Sequence, residues 1–541
     1  MPFQNNVLAG ASAQGGYQIQ NSLRFRASNS AYLTRTPASG GSQTTYTFSY
    51  WMKRGALGAQ QTHFSVATNS QNYFALGFGF INNNNQLDFL YAESNVITAR
   101  KQTSRVFRDP SAWYHVVAVL DTTNATAADR LRIYINGVRE TSFSASTDPT
   151  QNTNQHGWNT AVANYIGVAK PTYALYHDGY LANVYFIDGQ ALTPSSFGQT
   201  DATTGVWGPK KYTGTYGTNG FFLEFKDAAS TTTIGYDSSG NSNNFTTSGI
   251  SVTSGTTFDQ MLDTPTLNYA VMNPLDLSGT AATFQWANLQ VTRSGASQAQ
   301  AYCSIQMSSG KWYCEMTAGA DVASLSPGII VGTANAAANR YLGQDSFTYG
   351  YDPDGRKVNS GTYTAYGNTW TAGDIIGIIL DADNGKLYFS KNGTVQNSGD
   401  PIAGTNAAFT GLTGPYRFAA SAESGGVADF NFGQRPFAYT PPSGFTALST
   451  ANITSTAITT SGSFTGNAAA DGPFVWTNGN PATLTINGNA VTFGTHADKT
   501  AGGFKLRSSS SSYNASGSNT WSATAGKRFV QSKKPNNAQT N

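Results

Sequence analysis

The residues able to do chemistry in this 541-residue chain are few and scattered. Three turns cluster hard oxygen donors of the kind Ca²⁺ takes from Asp, Asn and backbone carbonyls. They are Asp237 with Asn241 and Asn243, Asp352 with Asp354, and Asp381 with Asp383 and Asn384. The first is densest in ligands and is the calcium candidate. None has the twelve-residue spacing that ends in glutamate, and Asp and Asn also populate turns because they bond their own backbone. The five histidines, His63, His115, His156, His177 and His496, include no i, i+2 or i, i+4 pair of the sort that holds zinc. His115 lies in an apolar alternating run and reads as a sheet residue. His177 beside Asp178 has the types of an acid/base couple but also suits a loop before a strand.

Catalytic patterns are missing from the sequence. There is no G-x-S-x-G elbow for a serine nucleophile. A retaining glycosidase needs two carboxyls about 5–5.5 Å apart, which a strand supplies with acids two positions apart. Glu224 and Asp227 are three apart and would face opposite sides of a strand. The expectation is a protein that binds rather than an enzyme. Carbohydrate recognition uses aromatic faces among amides and hydroxyls, and six residues in such company are candidates: Trp158, Tyr173, Tyr176, Tyr363, Tyr366 and Trp370. Each of them also suits rim packing or a subunit interface, where Tyr and Trp are enriched.

The elements that must position these residues are strands. Only 11% of residues are charged, against roughly 25% in ordinary globular chains, while aromatics reach 13% and glycines number 57. Short Val/Ile/Tyr/Phe runs separated by Ser, Thr, Asn and Gly are the composition of an all-β protein. TYTFSYWMKR (45–54) alternates so that Tyr46, Phe48 and Tyr50 share a face. NYFALGFGF (72–80) and QLDFLYA (86–92) flank an asparagine-rich turn. WYHVVAVLD (113–121) faces RLRIYINGVRE (130–140), whose Asn136-Gly137 signals a type I′ turn. IIGIILD (375–381) and KLYFSKNG (386–393) make a hairpin with Asp381, Asp383 and Asn384 as its turn, which gives that oxygen cluster a structural reason. Cys303 and Cys314 flank Ser308-Ser309 and read as partners across a hairpin. They are then either a cross-strand disulfide or, in a protein made in the cytosol, two buried thiols.

A net charge of +3 carries no clustered basic face and argues against nucleic-acid binding. The tail around Lys527, Arg528, Lys533 and Lys534 reads as a solvated end. No stretch has the pattern of a signal peptide or a membrane span. The length implies several domains.

Three blocks resemble a known family. WYHVVAVLD, LRIYINGVRE and DGYLANVYFIDGQALTPSSFG (178–198) look like a laminin-G/concanavalin-A-like jelly roll over residues 17–200, behind an N-terminal arm at 1–16. SSGKWYCEM (308–316), SPGIIVGTA (326–334), SFTYGYDPDGRKVNSGT (346–362) and the 370–393 hairpin resemble a SPRY domain spanning 283–445. Between them a connector at 201–282 carries GFFLEFKD, GYDSSGNSNNFT and DTPTLNYAVMNPLD, and is similar to a connector in tailed-phage structural proteins. Residues 446–541 resemble the small β module and tail that follow in those proteins. The fold expected is two antiparallel jelly-roll-type sandwiches in tandem plus that module.

What the resemblance implies is a non-enzymatic virion surface protein, assembled in the host cytoplasm. It would be a homotrimeric tail fibre or similar appendage that contacts other virion proteins and binds host-surface glycan or receptor. The alternatives are a capsid decoration or head-fibre protein that stabilises the particle, and a glycan-degrading tailspike.

Overall fold

In a computed structural model, residues 16–453 are described apart from 81–84, 156, 171–172, 203–204, 279–281 and 333–338, and beyond 453 the backbone of seven strands between 461 and 532. The expected arm, all but Gly16, and the basic tail residues lie outside the described residues, as do His156 and His496. Residues 1–199 and 207–453 form one compact unit, and 200–206 with 454–541 a second.

The larger unit is all-β, two antiparallel sandwiches in tandem. In the first, the strand Thr45–Arg54 lies between Trp113–Asp121 and Gly179–Asp188 at the centre of one sheet. The facing sheet runs through Val96–Val106, Gln86–Glu93, Asn72–Phe78, Gln61–Asn69, Asn164–Ile166 and Tyr32–Arg35. Alternation works as expected: Tyr46, Phe48 and Tyr50 are fully buried between the sheets. Asn136 and Gly137 both have positive φ, 49° and 81°, as a type I′ turn requires. A Cβ on Gly137 would come 2.6 Å from the Trp207 ring, so glycine is needed there twice over.

The segment expected as a connector contributes strands to both sandwiches. Phe221–Leu223 pairs with Gly179–Asp188, Thr246–Ser248 with Tyr32–Arg35, and Gln260–Met261 with Ser22–Phe25. Met272–Ser278 then pairs with Ala299–Cys303 in the second sandwich. Phe221, Leu223, Phe225, Ile234 and Phe245 are buried in the first core, so burying these apolar groups is what draws the segment onto the sheet edges.

In the second sandwich, Lys311–Ala318 sits between Ile375–Asp381 and Gly426–Asn431, opposite a sheet built on Tyr416–Ala422. Ile375–Asp381 and Lys386–Lys391 form the expected hairpin, with Asp381 opposite Lys386. The cysteines are not hairpin partners. Cys303 ends a strand of one sheet and Cys314 lies in the other, both as free thiols in the shared core. Burial pushes the Cys303 thiol up to about 12.

In the smaller unit, backbone pairing joins Ser461–Thr465 and Leu484–Ile486 to Ser518–Ala523, and Phe474–Thr477 to Gly503–Lys505 and Phe529–Ser532.

Candidate functional site

Two sandwich sheets have two inner faces and two outer ones, and the outer face of the second sheet of the first sandwich carries the candidate site. Along Asn72–Phe78, Phe74 and Leu76 point into the core, and the opposite parity sends Tyr73 and Ala75 outward. Ser65 on the neighbouring strand also faces out, and its hydroxyl donates to Val168 O over 2.6 Å. The chain after Asn164–Ile166 crosses this face, bringing Lys170, Tyr173 and Leu175 over the strands. A cavity of about 200 Å³ results, lined by Ser65, Tyr73, Phe80, Lys170, Tyr173 and Leu175. That is below the ~300 Å³ of a drug-sized pocket, and so suits one small ring at a time.

The cavity is aromatic with one cation. Lys170 Nζ stands 4.2 Å from the Tyr32 ring centroid, and Tyr32 meets Tyr165 at 6.0 Å and Tyr176 at 6.5 Å. Partial burial works against the ammonium, but the Tyr32 and Tyr176 hydroxyls outweigh it and hold the Lys170 pKa above the ordinary lysine value. No carboxylate pairs with Lys170 among the described residues. Burial, then the Tyr173 hydroxyl, raise the Tyr73 pKa, so the Tyr73 phenol is a neutral donor at neutral pH. Nearby, Asp88 is fully buried and held by Arg100 through two bonds of 3.0 and 2.7 Å.

Of the six aromatic candidates, Tyr173 lines this cavity, and Tyr176 stands against Tyr32 and the Lys170 ammonium beside it. Three others offer no face to a ligand. Trp158 is 1% exposed and packs against Phe48, Phe64, Phe74 and Phe186, because its bulk fills the gap between the sheets. Trp370 is likewise 1% exposed, and Tyr366 is buried with its hydroxyl accepting from Phe389 N. Tyr363 is 42% exposed on the second sandwich, with the Arg356 guanidinium 4.5 Å over its ring and Tyr341 at 5.6 Å. It stands apart from the cavity-lining residues, on another domain. Reading the candidates from loops missed Tyr73, Lys170, Tyr32 and Tyr165. The available signal was an aromatic at outward parity in a strand whose inward positions were already apolar.

The calcium candidates do not fit a cation. Both Asp237 carboxylate oxygens accept hydrogen bonds, from Phe222 N, Ser239 N, Ser239 Oγ and Asn243 N at 2.7–2.9 Å. The Asn241 amide donates to Gly217 O and Gly220 O, and Asn243 Oδ1 accepts from the Arg35 guanidinium. Donors therefore occupy both Asp237 carboxylate oxygens and the Asn243 amide oxygen, and the loop is a turn that pins its own backbone. Asp352 and Asp354 both pair with Arg356 at 2.6 Å, and Asp381 with Lys311 at 3.3 Å. Among the described residues no three His, Cys, Asp or Glu side chains gather as metal ligands.

His115 Nε2 lies 2.8 Å from Ser49 Oγ, a nucleophile–base distance. The Trp207 indole, however, donates to His115 Nδ1 over 3.0 Å. That nitrogen must accept, so the ring proton sits on Nε2 and points at Ser49, the wrong tautomer for removing the hydroxyl proton. Burial holds the ring's pKa down at about 3, and both residues are out of reach of solvent. His177 is buried as well, at about 3, with Nδ1 3.0 Å from Gln61 Oε1. Its neighbour Asp178 turns instead to the second sandwich and accepts from Ala287 N at 2.8 Å; burial raises its pKa to about 6. The pair is structural, each member serving a different partner.

Comparison with known proteins bears on both sandwiches. Residues 27–196 match the family described as the concanavalin A-like lectin/glucanases superfamily, and residues 311–435 match the SPRY domain. The ATP-dependent RNA helicase DDX1 of Xenopus laevis is 34% identical over 123 residues, 22% of this chain and 16% of the helicase. Ran-binding protein 10 of Danio rerio is 34% identical over 115 residues, 21% of this chain and 18% of that protein. The chain thus spans under a fifth of the length of these relatives. Among solved structures, the SPRY domain of human HERC1 is 14% identical with a TM-score of 0.24, covering 29% of this chain and 96% of that one. Domains LG4-5 of the mouse laminin α1 chain are 10% identical with a TM-score of 0.26, covering 74% and 82%. The chain carries a laminin-G-like, concanavalin A-like domain followed by a SPRY domain.

Proposed function

We propose that this protein is a non-enzymatic binding protein that takes a saccharide at the outer face of its first sandwich. The observation that carries the reading is the small cavity where Tyr73 and Tyr173 offer phenol rings and hydroxyls and Lys170 offers a cation free of a carboxylate partner. Aromatic rings stack on the apolar face of a sugar, and hydroxyl donors fix its orientation. A single unpaired ammonium favours a sugar bearing a carboxylate or sulfate.

The setting we propose is a virion surface, where the chain serves as a homotrimeric fibre-like appendage contacting host glycan. The connector strings GFFLEFKD, GYDSSGNSNNFT and DTPTLNYAVMNPLD support this setting. Three copies would turn weak single-ring contacts into avidity.

A panel of neutral and acidic oligosaccharides tests the site by calorimetry. Tyr173→Ala is expected to weaken the best ligand several-fold, as loss of one aromatic contact of about 0.5–1.5 kcal/mol implies. Lys170→Gln is expected to abolish the preference for acidic over neutral sugars. Unchanged affinity in both variants would refute the site. Antibody labelling of particles tests the setting, and labelling of capsid faces alone would replace the fibre by a decoration role.

A further inference from the structure

One buried nucleophile has no part in the saccharide site. Lys53 is the penultimate residue of the central strand Thr45–Arg54, and its side chain is fully buried. Its Nζ lies 2.7 Å from Asp263 Oδ2, 2.7 Å from Asn268 Oδ1 and 3.0 Å from Tyr269 O, all on the strap that leads to the second sandwich. Asp263 is also fully buried, and its other oxygen accepts from Trp113 Nε1 at 3.0 Å. The Tyr180 ring lies 5.8 Å from Nζ. The Asn268 amide is held in one orientation. Oδ1 faces the lysine, while Nδ2 donates to Ser111 O over 2.8 Å. An amine, a carboxyl amide and a buried carboxylate touching the amine are the three groups needed to make an amide bond without a cofactor.

We propose that Lys53 and Asn268 join in an intramolecular isopeptide bond, with Asp263 carrying the protons. The Nζ ammonium first passes a proton to Asp263 Oδ2, which frees the lone pair to attack Asn268 Cγ. The Nζ–Cγ bond forms, Asp263 relays protons to Nδ2, and the Cγ–Nδ2 bond breaks. Over the whole step Nζ loses two protons and Nδ2 gains two, so ammonium leaves and Asp263 ends as it began. No oxidant, reductant or co-reactant is consumed. Burial supports the first transfer: desolvation lowers the Lys53 pKa and raises that of Asp263, both toward the neutral pair. The bond would close a span of 215 residues and anchor the strap covalently to the first sandwich.

Mass spectrometry of the denatured full-length chain decides the matter. The expected mass is about 17 Da below that of the unmodified chain, the loss of one ammonia. Trypsin should release the peptide 36–54, uncut at Lys53, joined to the peptide 227–293. Asn268→Ala keeps the Lys53–Asp263 ion pair and is expected to fold, to show its full mass and to melt several degrees lower. Asp263→Asn is expected to remain unlinked wherever circular dichroism shows it folded. A wild-type chain at full mass overturns the proposal. So does a linked peptide in Asn268→Ala, and a linked, folded Asp263→Asn overturns the role of Asp263.

Discussion

Replacing Asp259 with asparagine should cost the first sandwich a large part of its stability. Its carboxylate accepts from Arg24 Nε at 3.0 Å, from Arg26 Nε at 2.8 Å and Nη2 at 2.9 Å, and from Ser251 N at 2.8 Å. Arg24 and Asp259 are fully buried and Arg26 nearly so. Two cations thus share one anion, and their remaining support includes the Trp286 ring at 5.9 and 5.4 Å and backbone carbonyls such as Thr256 O. An asparagine keeps the shape but removes the charge, and its NH₂ faces guanidinium donors it cannot accept from. Removing one partner of a buried ion pair costs about 3–5 kcal/mol, against a typical domain stability of about 5–15 kcal/mol. At about 2–4 °C per kcal/mol for domains of this size, Tm should fall by roughly 6–20 °C. Urea unfolding followed by circular dichroism and by tryptophan emission would measure it. A loss under about 1 kcal/mol with an unchanged slope would show that the arginines do not depend on this carboxylate.

Other expectations concern pH, packing and metal. The His115 pKa is depressed to about 3 in the folded chain, so its contribution is present above the unfolded value of about 6.5 and is lost as pH falls through the folded one. His115→Gln should therefore make the fall in stability between pH 6 and 4 shallower by about 1.4 kcal/mol per pH unit; parallel profiles for the two proteins would sink this. Asp178 works in the opposite sense. Its raised pKa of about 6 contributes stability that is present below the unfolded value near 3.9 and is lost as pH rises through 6, so Asp178→Asn should gain relative stability between pH 4 and 7. Trp158→Ala should cost about 3–5 kcal/mol through its cavity while leaving saccharide affinity of the folded protein unchanged, and weakened binding would restore Trp158 as a contact. Millimolar calcium or chelator should leave Tm unmoved, and a calcium-induced rise would show that the Asp237 turn rearranges around the ion.

The strands were legible because their signals are local. Alternation around Phe48, the Asn136-Gly137 turn and the Ile375–Asp381 hairpin each depend on neighbours in sequence. What was not legible depends on which strands the topology places side by side. Trp158 stands among amides in sequence, yet four phenylalanines distant along the chain enclose it. Cys303 and Cys314 look like hairpin partners, but the chain changes sheets between them. The 201–282 segment reads as linker because its strands are only two to three residues long until Met272, and their apolar residues find partners on the sheet edges. At the candidate site Tyr173 and Tyr176 were legible as exposed aromatics, whereas Tyr73 and Lys170 acquire meaning only once the crossing chain lies over the strand.

The strap also defines what can be exchanged between proteins. The concanavalin A-like match ends at 196 and the SPRY match begins at 311. A recombination joint at 311 would part Gln290–Arg293 from Gly426–Asn431 and Ala299–Cys303 from Tyr416–Ala422. One at 196 would separate Arg24 and Arg26 from Asp259, Lys53 from Asp263 and Asp178 from Ala287. Three buried charges would lose their counterparts and a fourth group its donor in one event. The heritable cassette is therefore longer than either recognised domain: the two sandwiches and the strap travel together.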